Sequence, residues 1–235
     1  MIKRLFRKLS SLGGNTLYHP GCIARFVSPK IEENYKSLLE GIGIEFIMPP
    51  EFLCCGSPVI NAGYKEDFEQ LMQKSRDMCE KHRVRKIITS CPSCYRMFRE
   101  NMDIEVEHIS QTLYRHTDKI EARWNGEKAC YHDPCNLGRH SEIYREPRKV
   151  LEAAGLRVME MATSKEKALC CGAGAGVRNN YSSISAEMAR RRLSQCKENL
   201  IVTTCPLCWQ QLKEYAKEGV RVLEFSEALL HEQDN

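Results

Sequence analysis

Ile87-Ile88-Thr89-Ser90-Cys91-Pro92-Ser93-Cys94 and Ile201-Val202-Thr203-Thr204-Cys205-Pro206-Leu207-Cys208 share one form. Each runs from an aliphatic, β-branched stretch, which reads as a strand, into Cys-Pro-x-Cys. Proline suits the first position of a helix, where its missing N–H leaves no bond unmade. The spacing therefore predicts strand, turn and helix, twice. The first cysteine of each motif then sits at the positive end of a helix dipole, which favours thiolate. One helical turn brings Cys91 beside Cys94 and Cys205 beside Cys208, so each pair can hold one metal centre.

Outward from these motifs, other blocks recur in the same order. Tyr18-His19-Pro20-Gly21-Cys22 resembles Tyr131-His132-Asp133-Pro134-Cys135, and Leu53-Cys54-Cys55-Gly56 matches Leu169-Cys170-Cys171-Gly172. Leu38-Leu39-Glu40 parallels Val150-Leu151-Glu152, and Val106-Glu107-His108-Ile109-Ser110 parallels Val222-Leu223-Glu224-Phe225-Ser226. This order reads as a gene duplication with its seam near Trp124-Asn125-Gly126. The expected units are residues 15–125 and 126–235, preceded by a basic extension, 1–14.

Within each unit, short aliphatic runs alternate with helical periodicity. Ile44-Glu45-Phe46-Ile47-Met48 and Lys86-Ile87-Ile88-Thr89 read as strands; residues 32–39, 67–82 and 185–197 read as helices. The predicted class is α/β: two duplicated βαβ-type lobes with mainly parallel sheets, related by a pseudo-two-fold. Ligand-bearing loops then gather at the carboxyl ends of the strands.

The chain has 235 residues and a net charge of +4, with basic and acidic residues interspersed, which points away from nucleic acid. No apolar run is long enough for a membrane helix. The N-terminal Ile2, Leu5, Phe6 and Leu9 lie on one face of a basic helix without a secretory apolar core. That stretch reads as a docked first helix, with peripheral attachment to an anionic membrane or an acidic partner as the alternative. The expected location is cytoplasmic. In a reducing compartment, thirteen cysteines read as metal ligands or redox thiols, not a disulfide framework.

Ten of them form two matching sets: Cys22, Cys54, Cys55, Cys91 and Cys94, then Cys135, Cys170, Cys171, Cys205 and Cys208. The gaps agree closely, 31 and 34 residues to the cysteine pair and 35 and 33 to the CxxC. Adjacent cysteines in a strand would face opposite ways; Gly56 and Gly172 give the chain freedom to turn both sulfurs to one centre. Five thiolates on a [4Fe–4S] core carry about −3 in charge. Cys171-Gly172-Ala173-Gly174-Ala175-Gly176-Val177-Arg178 offers such an anion backbone N–H groups and an arginine. Zinc, which takes four ligands, and cluster-free dithiol chemistry are the alternatives.

On these residues the chain resembles the CCG cysteine-rich domain family, from about residue 15 to residue 231. That family includes the B-type and D-type components of heterodisulfide reductases and the iron–sulfur subunits of lactate, glycolate and glycerol-3-phosphate oxidising systems. The text around Cys135 and Cys170-Cys171 is closest to the D-type branch of the heterodisulfide reductases. Asn136 stands where the family pattern predicts histidine, and Ala175 where it predicts glycine. The resemblance implies two noncubane [4Fe–4S] clusters, one per set of five cysteines, and thiol/disulfide redox chemistry with a small disulfide or thiol substrate. It also implies a ferredoxin-like iron–sulfur partner or a flavoprotein, because no C-x2-C-x2-C-x3-C-P run is present. The second reading is a non-catalytic electron-transfer subunit of a 2-hydroxy-acid dehydrogenase complex.

His132, Arg139, His140 and Arg178 lie in the second set's loops and are candidate catalytic groups, as proton donors or anion-binding cations. A structural part in holding the loop or offsetting charge is the other reading. Cys79, Cys130 and Cys196 are expected to be free core thiols, with Cys79 and Cys196 on equivalent helices.

Overall fold

A computed structural model describes residues 14–231. The amphipathic stretch at residues 2–9 lies outside the described residues. The first half runs β1 (Asn15–His19), α1 (Cys22–Phe26), α2 (Pro29–Gly41), α3 (Ser57–Asn61), α4 (Lys65–Lys81), β2 (Val84–Thr89), α5 (Pro92–Asn101), β3 (Glu105–His108) and α6 (Ile109–Tyr114). The second runs β4 (Lys128–His132), α7 (Arg145–Ala153), β5 (Arg157–Glu160), α8 (Val177–Asn180), α9 (Ser182–Leu193), β6 (Leu200–Thr203), α10 (Pro206–Tyr215), β7 (Arg221–Glu224) and α11 (Phe225–Leu229).

Two parallel sheets result, ordered β1-β2-β3 and β5-β4-β6-β7. The fold is therefore α/β with two lobes of matching order. All four residues of β6 are buried, as a parallel strand covered on both faces requires. Both Cys-Pro motifs do what their sequence predicts: Cys91 caps α5 and Cys205 caps α10, each with proline in the first turn.

Three expectations are corrected. The predicted strand at residues 44–48 shrinks to one parallel bridge, Leu17 to Ile47. Pro49-Pro50 follow at once; they cannot donate to a ladder and they restrict the residue before them. Its counterpart β5 has no such brake and forms a true edge strand. Helix α9 spans Ser182–Leu193 instead of 185–197, leaving Cys196 in the turn beyond it. There Cys196 forms a disulfide with Cys130 on β4, across a Cα–Cα distance of 6.0 Å, so these two are not free thiols. Cys79 is free and buried, as expected.

The lobes share one apolar core. Tyr18, Tyr35, Leu39 and Ile109 pack in a single cluster with Tyr131, Val150, Val202 and Phe225. Tyr35 Oη donates to Glu224 Oε1 at 2.6 Å across the seam, and Trp124 Nε1 donates to the Ala228 carbonyl at 2.7 Å. Burial pushes the Glu224 carboxyl up from 4.5 to about 7. Below about 4.5 the carboxyl is protonated in the folded and unfolded chain alike. As pH rises towards about 7 the unfolded chain sheds this proton first, so the stability that the protonated group contributes is lost. Glu224→Gln is expected to flatten that part of the stability–pH curve, measured by urea unfolding between about pH 5 and about pH 8.

Candidate metal centres

In each lobe, cysteines stand just past the carboxyl ends of two neighbouring strands. β1 ends before Cys22 and β2 before Cys91; β4 ends before Cys135 and β6 before Cys205. The loops entering α3 and α8 carry the Cys-Cys pairs. Gly56 and Gly172 both have positive φ, 71° and 87°, which turns each chain back over the site.

The first set converges. The Cys94 thiol is hydrogen-bonded to Cys55 and Cys91, and both contacts, with burial, push it up. Burial and the charges of Cys91, Cys55 and Cys54 push the Cys22 thiol up to about 11. Cys91 moves the other way, to about 7, because the Cys94 thiol and the N–H groups of Cys94 and Ser93 stabilise its thiolate. That is the helix N-terminus acting on the sulfur that caps it. Cys22 and Cys54 are exposed, while Cys55 and Cys94 are buried.

The second set converges as well. The Cys171 and Cys208 sulfurs lie 3.2 Å apart, and the Gly172 N–H donates to Cys170 Sγ at 3.4 Å. Cys135 is raised by its contact with Cys170 and by burial; Cys208 is raised by Cys171 and Cys205. A ring nitrogen of His132 lies within 4.8 Å of Cys171 and Cys208. Thiols packed this closely cannot all ionise unless a cation sits among them. An all-sulfur donor set of this kind suits soft metal centres, iron–sulfur above all.

The first set opens on a cavity of about 740 Å³ that Cys205 of the second set also lines. Cys22, Cys55, Cys91 and Cys94 line it from one side, and Cys205 and Arg178 from the other. Asn136 also lines it, and its Nδ2 donates to Ser93 Oγ at 2.8 Å, tying the loop of Cys135 to the first half's Cys91-x-x-Cys94. Ala175, on the cavity wall, has φ 52°, which accounts for the glycine predicted there.

The four polar candidates separate. Arg178 reaches the cavity and is held by Gln211 Oε1 at 3.1 Å and Glu214 Oε2 at 2.5 Å. His132 is buried and kept neutral, its pKa lowered by burial to about 3. Its Nδ1 accepts from Arg192 Nε at 2.8 Å, so Nε2 carries the proton, and Nε2 has no partner. Arg139 and His140 are exposed and lie outside the cavity lining. Arg139 donates to the carbonyls of Glu166 and Ala168, bracing the approach to Cys170.

Sequence reasoning missed Arg192, Ser93 and the Asp133–Arg148–Glu160 network. A signal existed for Arg192: Ser185, Ala189 and Arg192 repeat at helical spacing on the buried face of α9.

Gly172→Ala tests the tightness of the second loop. A Cβ there would lie 2.8 Å from the Ser185 carbonyl oxygen and 2.9 Å from Met188 Cβ, at a φ that side chains resist. A loss of about 1–3 kcal/mol is expected in denaturant unfolding, with reduced metal retention.

A family model described as a cysteine-rich domain, CCG, matches residues 16–99 and again residues 129–213. A subunit of the fumarate reductase (CoM/CoB) of Methanothermobacter marburgensis is 28% identical over 230 residues, covering 92% of this chain and 46% of its own. A subunit of the dihydromethanophenazine:CoB–CoM heterodisulfide reductase of Methanosarcina barkeri is 29% identical over 217 residues, covering 84% and 53%. The chain thus spans about half the length of these relatives. Among solved structures, glutamate racemase RacE1 of Bacillus anthracis aligns with TM-score 0.41 and 14% identity, over 91% of this chain and 77% of its own. No helix among the described residues is long and apolar enough to cross a membrane.

Proposed function

The chain belongs to the CCG cysteine-rich domain family, and from that premise we propose that it is the iron–sulfur subunit of a heterodisulfide reductase-like oxidoreductase. Cys22, Cys54, Cys55, Cys91 and Cys94 would hold one cluster, and Cys135, Cys170, Cys171, Cys205 and Cys208 the other. Units 15–125 and 126–235 each contribute one site. When bound, noncubane [4Fe–4S] clusters supply single electrons and iron faces with affinity for sulfur.

One observation carries the reading: a cavity of about 740 Å³ is lined by four cysteines of the first set and by Cys205 of the second. A small disulfide fits such a place, since its two sulfurs need two electrons and two protons to part as thiols. Arg178 presents a cation that would stabilise a departing thiolate. His132, neutral and holding its proton on Nε2, orients that N–H without a competing partner. The names of both relatives carry CoM and CoB and mark them as subunits, which supports thiol chemistry and a partner that supplies or receives electrons. A ferredoxin-like chain or a flavoprotein would fill that place.

The test is anaerobic purification, iron and acid-labile sulfide counts, and paramagnetic spectra with and without disulfides and thiols. Iron with spectra that respond to one of them is expected. Iron with spectra indifferent to all of them, and activity only with a flavoprotein dehydrogenase, would make the chain an electron carrier for 2-hydroxy-acid oxidation instead. Zinc without iron would refute the cluster assignment.

A further inference from the structure

Arg192 is wholly buried, yet among the described residues no carboxylate lies within salt-bridge distance of it. Its Nε donates to His132 Nδ1, and its Nη1 donates to the Thr163 carbonyl and to Gln195 Oε1, each at 2.7 Å. Nη2 is buried without a partner. Asp133 and Glu160, the carboxylates whose charges reach it, are both engaged by Arg148. A buried guanidinium left this way is costly unless an anion stands nearby. What faces it, across His132, is the sulfur pair Cys171 and Cys208.

The first half has no such cation among its described residues. His19 repeats His132, and its Nε2 is likewise unpartnered, but its ring packs on Phe52 and Phe98 at centroid distances of 5.2 and 5.1 Å. Thirteen residues ahead of the CxxC, where Arg192 precedes Cys205, Met78 precedes Cys91. Met78 and His19 line the same small cavity, as the repeat requires. Arg25, the cation in that cavity, is bound to Glu32 at 2.6 Å.

Resting on the iron–sulfur reading above, we propose that Arg192 is a positioning residue that acts through His132 to raise the reduction potential of the second centre above that of the first. Reduction adds one negative charge to a centre, and a fixed positive charge behind a hydrogen-bond donor favours that state. Electrons shared between the halves therefore collect at Cys135, Cys170, Cys171, Cys205 and Cys208.

The experiment uses full-length protein with one centre disabled at a time. Cys94→Ser leaves the second centre and Cys208→Ser leaves the first, so anaerobic redox titration followed by paramagnetic spectra assigns each potential. At one applied potential the reduced-to-oxidised ratio is expected to be at least tenfold greater for the second centre, about 59 mV for one electron. Arg192→Met in the Cys94→Ser protein should remove most of that difference, while Arg192→Lys, which keeps the charge, should preserve it. The same Arg192→Met change in the Cys208→Ser protein should leave the first centre's potential unmoved. Iron lost in Arg192→Met and regained in Arg192→Lys supports the same role, because lysine restores a cation able to donate to His132. Equal or inverted potentials in the two single-centre proteins overturn the assignment, as do equal shifts from methionine and lysine. Unmodified protein that holds no iron overturns the iron–sulfur reading itself; iron there but in neither single-centre protein overturns the assignment of separate potentials.

Discussion

Cys208→Ser should cut iron and acid-labile sulfide to about half, from about eight to about four atoms of each per chain. The Cys208 sulfur is buried, 3.2 Å from Cys171 and in the electrostatic reach of Cys205. A serine oxygen is a harder and shorter donor, poorly matched to soft iron. The first set stands on its own sheet with its own five sulfurs and should keep its metal. Cys79→Ser is the matching control. Burial raises the Cys79 pKa to about 11 and no other thiol's charge contributes, so Cys79 stands electrically apart from the two sets. Full iron in the Cys208→Ser protein would remove that residue from the ligand set; complete loss would mean that the two centres assemble only together.

Arg148→Met is expected to be the most damaging single change away from the sulfurs, at about 3–5 kcal/mol. Asp133 is 2% exposed and accepts from Arg148 Nη1 at 2.8 Å and Nη2 at 2.9 Å. The backbone N–H of Lys165 adds a third bond at 2.8 Å. Arg148 also reaches both oxygens of Glu160 at 2.7 Å. Without the guanidinium, Asp133 keeps a buried charge that one amide cannot offset. Because Asp133 separates His132 from Pro134-Cys135, the fault would pass straight into the loop carrying a proposed ligand. Urea unfolding of Arg148→Met, Asp133→Asn and the double variant checks this: the double variant should be less damaged than the sum of the singles. A cost under about 1 kcal/mol for Arg148→Met, the usual size for an exposed pair, would show that the network is solvated.

Much of this is legible in the sequence because it is local. A β-branched run, then cysteine, then proline dictates strand, turn and helix within a few bonds, and both copies obey. The repeat then supplies the parallel order of the sheets. What escapes depends on partners far along the chain. Cys130 meets Cys196 across 66 residues, and helical periodicity places Cys196 on a helix that in fact stops earlier. The strand predicted at residues 44–48 has the right side chains, but the two prolines after it outweigh them. The Asn136–Ser93 bond joins loops from different halves, so neither half alone announces the cavity between the cysteine sets. Arg192 sits in Arg190-Arg191-Arg192, where composition suggests a solvated face; only its phase with Ser185 and Ala189 tells otherwise.

Tyr35 of the first lobe donates a hydrogen bond to Glu224 of the second, and at the equivalent cap of the first lobe stands His108. The ancestral copies have thus become lock and key. A tandem of two first halves would offer that tyrosine an imidazole, and a tandem of two second halves would duplicate the buried acid without its donor. At this contact neither half can stand in for the other, and the bond ties the two lobes into one folded body.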